Sequence, residues 1–292
     1  TNIVWLKRDL RLTDHMPLYE ATCRNEQFLV LYIFEPSLMN DGHTDKRHWR
    51  FIQQSLSDIE KILAKQNKQL SIAYGEAVDI FSELINNYAV ANVFSHEETG
   101  LKLTFERDKK LKKKFNTNKI QWHEYQTNAV IRGLSNRKTW EKQWNKVMRE
   151  EIKPINLAEA NIVFHSFRQS EIPQFDSDVH HQSGGFLSAQ KVMHDFFETR
   201  GQDYFKFISK PDKSRTSCSR LSPYIAYGNL SMRQVYQTLL KSWNKPGWRR
   251  SMAALSSRLH WHCHFIQKYE SEIEIEDLPI NRGYENFPYK VI

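Results

Sequence analysis

The sequence predicts an α/β fold: a doubly wound parallel five-stranded sheet followed by an all-α second part. Two observations predict the sheet. Phe28-Leu-Val-Leu-Tyr-Ile-Phe34 is an unbroken apolar run, as expected of a parallel strand covered on both faces. Such runs alternate with helix-spaced segments from Ile3 to Tyr125, the rhythm of βαβ units. A third predicts the helical part: from Phe186 onward the apolar spacing is that of helices, with no convincing strand.

Taken in order, Ile3-Val-Trp-Leu6 is the first strand, followed by the charged turn Lys7-Arg8-Asp9-Leu10-Arg11. Thr13 and Asp14 offer N-caps and Pro17 suits a first helical turn. Phe28–Phe34 is the second strand, closed by Glu35-Pro36. Phe51, Ser55, Ile59, Ile62 and Leu63 share one face of the helix that follows. Leu70–Tyr74 is the third strand, and Val78, Phe81, Leu84, Ile85 and Tyr88 mark an amphipathic helix. Asn92–Ser95 and Ile120–His123 are the remaining strands, flanking a helix over 101–115. The run Lys109-Lys-Leu-Lys-Lys-Lys114 is either a phosphate contact or, as the stronger reading, the solvated face and basic end of that helix.

After Tyr125 the rhythm stops. A helix is expected over Arg137–Glu151, then an irregular stretch punctuated by Pro154, Pro173 and Gly184-Gly185. Its length predicts a connector between domains. The expected division is 1–126 for the α/β domain, 127–185 for the connector and 186–292 for the helical domain. In the last of these Val192, Phe196 and Phe197, then Val235, Leu239 and Leu240, then Met252, Leu255, Leu259, His260 and Phe265 fall at helical spacing. The end, Tyr289-Lys-Val-Ile292, lacks a closing element, so the chain reads as cut off.

Composition bounds the function. The 292 residues are 40% hydrophobic and 13% aromatic, enough for a substantial core. No apolar run has membrane-spanning length and the opening leads straight into a strand, so a cytoplasmic protein without membrane association is expected. The three cysteines, Cys23, Cys218 and Cys263, match neither a disulfide framework nor a zinc knuckle. A formal net charge of +8 points to a polyanionic partner, nucleic acid first, or to a merely basic surface. There is no G-x-G-x-x-G and no P-loop motif. In a doubly wound sheet the site lies beyond the carboxyl ends of the strands, so Lys7-Arg8, Glu35-Pro36 and Ser95–Gly100 are candidate rim segments.

Cys218–Val235 concentrates the remaining chemistry. Ser219 and Ser222 bring hydroxyls and backbone N–H groups to a predicted helix start, which is either an anion seat or an ordinary cap. On a later helix His260, Cys263 and His264 share a face at i, i+3 and i+4. A metal could bind there, but no fourth ligand is evident, and packing is the favoured reading. Trp261 is either a stacking platform for a base or a buried core residue.

Three stretches together resemble the DNA photolyase and cryptochrome family. They are Val4-Trp-Leu-Lys-Arg-Asp-Leu-Arg-Leu-Thr-Asp14, the serine-rich stretch from Cys218, and Arg258-Leu-His-Trp-His-Cys-His-Phe265. Their order is similar to that of an antenna domain followed by a helical FAD-binding domain. The resemblance implies light-driven, FAD-dependent repair of UV-induced pyrimidine dimers in DNA, a carbon–carbon lyase activity. It implies cofactor contacts from Tyr204, Cys218, Ser219, Arg220, Leu221, Ser222 and His262, and DNA-lesion contacts from Arg258 and Trp261. An antenna pigment, folate or deazaflavin, is implied for the first domain, and a monomer is expected.

The chain departs from the family pattern at three positions. Cys218 stands where a threonine is usual, Arg258 where repair enzymes place a glutamate, and His262 where an arginine follows the tryptophan. A cryptochrome-type blue-light photoreceptor and a basic nucleotide-binding protein therefore stay open as alternatives. Family members continue past the position of Ile292 with further flavin-facing groups. The chain is thus expected to be an amino-terminal two-thirds with a truncated FAD-binding domain, its catalytic groups beyond Ile292, and unable by itself to hold FAD stably or to act.

Overall fold

The computed structural model describes residues 1–167, 172, 174–176 and 180–288. Pro173 and Tyr289–Ile292, named above as punctuation and chain end, lie outside the described residues.

The five expected strands form one parallel sheet in the order β3-β2-β1-β4-β5. They are β1 (Asn2–Leu6), β2 (Phe28–Phe34), β3 (Ser71–Tyr74), β4 (Asn92–His96) and β5 (Gln121–Tyr125). β1 and β2 pair from Asn2↔Phe28 to Leu6↔Tyr32. Every residue of β1, β2 and β4 is buried, which explains the apolar runs Ile3–Leu6 and Phe28–Phe34, whereas β5 at the edge is half exposed. A sixth strand, β6 (Ile162–Val163), comes from the stretch expected to be irregular and pairs with the start of β2. Two residues are too few to show a period in sequence.

The sheet is crossed by α1 (Met16–Cys23), the short α2 (Pro36–Met39), α3 (Lys46–Ala64), α4 (Ala77–Asn87) and α5 (Lys102–Thr117). α3 begins on a reciprocal cap. The Asp45 carboxylate accepts from Arg47 N at 2.9 Å, and His48 Nδ1 accepts from Asp45 N at 3.2 Å. In α5 the lysines 109, 110, 112 and 113 are exposed while Leu111 and Phe115 are buried, the solvated-face arrangement.

The helical part follows α6 (Trp140–Arg149). It comprises α7 (Phe186–Asp195), a π-helical turn at Phe196–Arg200, α8 (Tyr204–Phe207), α9 (Ser214–Ser217), α10 (Ser222–Ala226), α11 (Met232–Ser242) and α12 (Arg249–Ser271). Trp140, Trp144 and Met148 of α6 pack into the core formed by α7, α11 and α12. The strands build two other cores, one on each face of the sheet. No helix among the described residues is long and apolar enough to cross a membrane.

The two halves lock where residues 226–229 meet residues 8–11. Leu10 N donates to Tyr227 O at 3.0 Å, and the Arg11 guanidinium donates to Gly228 O at 3.1 Å. Gly228 has φ +71°, and a Cβ there would fall 2.4 Å from Arg8 O and from Asp9 Cα. Both the turn and the close approach require glycine.

Candidate functional site

The strand order reverses at β1, which lies between β2 and β4. A cavity of about 280 Å³ opens beyond the carboxyl ends of these strands, where open α/β sheets bind ligands. Lys7, Glu35 and Glu98 all line it, so the three candidate rim segments meet there. Its wall is a buried ion network that sequence reading missed. Arg107 donates to Glu35 at 2.6 Å and to Asp108 at 2.8 Å and reaches Glu98 at 3.4 Å; Lys7 pairs with Asp108 at 3.1 Å. Burial pushes the Glu35 carboxyl up, against the pull of Arg107. Burial also opposes ionisation of Asp108, but Lys7 and Arg107 outweigh it and hold that carboxyl low. Both cations lie over the Trp5 ring, at 4.4 Å for Lys7 and 4.7 Å for Arg107. The signal in the sequence was faint: Arg107 continues the buried stripe of Leu111 and Phe115 at four-residue spacing within a lysine-rich helix.

Behind Lys7, Asp9 gathers two imidazoles. Its Oδ1 accepts from Lys7 N at 2.7 Å and its Oδ2 from His96 Nδ1 at 2.6 Å; His15 Nε2 lies 2.8 Å from the same oxygen. Burial holds His96 down to about 4, so the ring is neutral near pH 7 and donates one proton to the carboxylate. Asp9, His15 and His96 are the one cluster among the described residues that brings three such donor atoms together. The arrangement suits hydrogen bonding better than a metal. His15 Nδ1 accepts from Leu18 N at 3.1 Å, so Nε2 carries the proton and has no lone pair to offer.

Cys218, Ser219, Arg220 and Leu221 link α9 to α10, which Ser222 begins. Three of their carbonyls are tied off by side chains. The Arg200 guanidinium donates to Cys218 O and, at 3.0 Å, to Ser219 O, while Gln182 donates to Arg220 O at 2.9 Å. Arg220 sits at φ +56°, which turns the chain sharply. Among the described residues the N–H groups of Ser219 and Arg220 find no acceptor, and Leu221 N only approaches Ser219 Oγ at 3.5 Å. Leu221 itself is buried in the core and Ser222 is exposed.

Tyr204 is buried at the start of α8. Burial pushes its hydroxyl up to about 12, with Cys218 and Arg258 as its electrostatic neighbours. These three residues therefore converge. Arg258 lies 4.6 Å above the Trp261 ring, and Trp261 is 48% exposed, so it is not an ordinary buried tryptophan. His262, one residue on, faces elsewhere. It lines a small cavity between the halves together with Arg8, Asn128, Ile225 and Ala226, its Nδ1 is buried without a partner, and burial holds it down to about 4. His260, Cys263 and His264 do not gather as a donor set. The His260 ring packs edge-on to Trp140 and Trp144, and His264 bonds Arg137 at 3.2 Å.

The family model for DNA photolyase matches residues 2–150. The chain belongs to that family. Within it, the chain is 24% identical over 281 residues to cryptochrome DASH of Idiomarina loihiensis, covering 89% of this chain and 61% of that protein. It is 30% identical over 114 residues to cryptochrome DASH of Gloeobacter violaceus. Its fold is similar to a bacterial class III photolyase from Agrobacterium tumefaciens, with TM-score 0.80 and 19% identity over 99% of this chain and 63% of that one. It is also similar to an archaeal photolyase from Sulfolobus tokodaii solved with two FAD molecules, with TM-score 0.74 and 21% identity over 99% of this chain and 64% of that one. The chain thus spans less than two-thirds of the length of each of the last two and of the Idiomarina relative.

Proposed function

We propose that this chain provides the antenna part and the phosphate-binding part of a light-driven, FAD-dependent lyase that reverses UV-induced pyrimidine dimers in DNA. The observation that carries this reading is the Cys218–Ser222 turn. Side chains hold its carbonyls, the N–H groups of Ser219 and Arg220 find no acceptor among the described residues, and the turn begins at Cys218, a neighbour of Tyr204. N–H groups gathered in such a turn form a nest for phosphate oxygens, and Ser219 and Ser222 add hydroxyls. FAD, when bound, supplies the light-driven electron transfer; the chain's residues hold and orient it.

Trp261 supports a DNA partner. Its ring is half exposed and carries a guanidinium on one face, so a base extruded from the duplex could stack on the other. The cavity rimmed by Lys7, Glu35 and Glu98 is the proposed seat of an antenna pigment, folate or deazaflavin. We read residues 1–126 as the antenna domain, 127–185 as the connector and 186–292 as part of the flavin domain, in a cytoplasmic monomer without a structural metal.

Arg258 favours the second reading, a blue-light photoreceptor on the same fold, because a cation stands where the repair enzymes of this family have a carboxylate. One experiment separates them. The protein at its natural length, loaded with FAD, is illuminated with an oligonucleotide carrying a cyclobutane dimer or a (6-4) lesion. Restored bases support the lyase, whereas flavin reduction with both lesions intact rejects it in favour of the photoreceptor.

A further inference from the structure

A second cavity, of about 260 Å³, shares no lining residue with the crevice at the ends of β1 and β2. It lies between the first turn of α1, the end of β5, α6 and the first turn of α11. We propose that it binds a small flat ring compound bearing one carboxylate or phosphate group.

Its charges point to an anion. Arg11, Lys153 and Arg233 line it with Asp14 and Glu150, and Asp9 behind the wall offsets Arg11, so the cation left least satisfied is Arg233. Arg233 is poorly satisfied by the protein. Its guanidinium lies 3.7 Å from Asp14 and 3.9 Å from Glu150, and donates to Glu151 O only at 3.4 Å. Arg107 in the other cavity makes charged bonds of 2.6 and 2.8 Å. Arg233 Nε is buried with no acceptor, a costly condition that an acceptor brought by a ligand would relieve. Lys153 rests its ammonium 4.8 Å over the Tyr19 ring.

A second buried donor stands at the cavity wall. His15 is 1% exposed and lines the cavity. Because its Nδ1 accepts from Leu18 N, its Nε2 carries the proton. That N–H is buried and, although 2.8 Å from Asp9 Oδ2, is out of line for a hydrogen bond. The N-termini of α1 and α11, both at least two turns long, open here and add positive potential. Tyr19, Tyr125 and Met148 supply ring-binding surface, the usual mix of apolar wall and a few polar anchors.

The proposal is tested by titrating the 292-residue chain with adenosine monophosphate, with 4-hydroxybenzoate and with uncharged adenosine, followed by calorimetry. Saturable binding of at least one anionic probe in preference to adenosine is expected, and which probe binds tells phosphate from carboxylate. Arg233→Gln should weaken that binding at least tenfold. Where that variant fails to fold, Lys153→Ala, an exposed change that removes only the contact with the Tyr19 ring, decides in its place by the same criterion. Absence of binding at millimolar probe, preference for adenosine, or an affinity that the deciding variant leaves within tenfold overturns the proposal.

Discussion

The side-chain amide of Asn229, on the helical half, donates to the carbonyl of Leu10, just beyond β1, at 3.0 Å. Its Oδ1 accepts from Gly185 N, at the start of α7, at 3.3 Å, and lies 3.3 Å from Ser55 Oγ of α3, whose proton goes to Phe51 O at 2.7 Å. One fully buried amide therefore joins the end of β1 to two parts of the helical half, against α3. Asn229→Ala takes this partner from Leu10 O and Gly185 N together. Urea unfolding should show a loss of about 1–3 kcal/mol, the cost of leaving buried polar groups unpaired. Gly228→Ala should cost more, because strain at φ +71° adds to a backbone clash at 2.4 Å.

Arg107 pairs with three buried carboxylates at the crevice wall. Arg107→Met keeps the length of the side chain but leaves Glu35 and Glu98 without a cation, and Asp108 with Lys7 alone. Stability should fall by about 3–5 kcal/mol, as when one partner of a buried ion pair is removed. Glu35 should rise further in pKa, since burial already pushes it up and its opposing charge is gone. Loss of less than about 1 kcal/mol in the same unfolding experiment would mean that water enters this wall.

These two networks mark the limit of what the sequence discloses. The sheet was legible because strands buried on both faces must be apolar throughout, as in Phe28–Phe34. The helical half was legible from three- and four-residue spacing, as in Val235 and Leu239 of α11. The turn at Cys218–Ser222 was legible as a candidate, but its carbonyl clamp was not, because Arg200 and Gln182 reach it from 18 and 38 positions away. Asp9, His15 and His96 meet only once β1 and β4 lie side by side. Trp261 was open between core and surface because α12 is apolar on more than one face; in the fold it is half exposed.

Acid should destabilise the protein through its buried histidines. Burial lowers His96 from 6.5 to about 4, and does the same to His262. The unfolded chain then binds protons that the folded one refuses, so stability is full above pH 6.5 and falls as pH drops toward 4. His96 alone accounts for about 3 kcal/mol across that window. His262 makes no hydrogen bond through Nδ1, so His262→Leu removes a titrating group without breaking a bond there. Unfolding free energies at pH 7 and pH 5 should show a smaller acid loss in His262→Leu than in the parent. Equal losses would show that His262 is solvated and titrates normally.

On the proposed flavin role, the carbonyl clamp sets how the Cys218–Ser222 turn meets FAD. Arg200 donates to Cys218 O, Ser219 O and Val192 O, so one planar guanidinium fixes the turn against α7. A lysine offers a single ammonium on a flexible stem and cannot span these carbonyls in a plane. In the protein at its natural length, Arg200→Lys should therefore weaken FAD binding nearly as much as Arg200→Ala. About 1–3 kcal/mol in affinity, or roughly tenfold to a hundredfold in Kd, is expected if the turn's N–H groups lose their aim. Flavin fluorescence quenching reads the affinity, and the protein's melting temperature separates loss of aim from loss of fold. An Arg200→Lys protein that binds FAD as tightly as the parent would show that charge alone, and not the fork geometry, holds the turn.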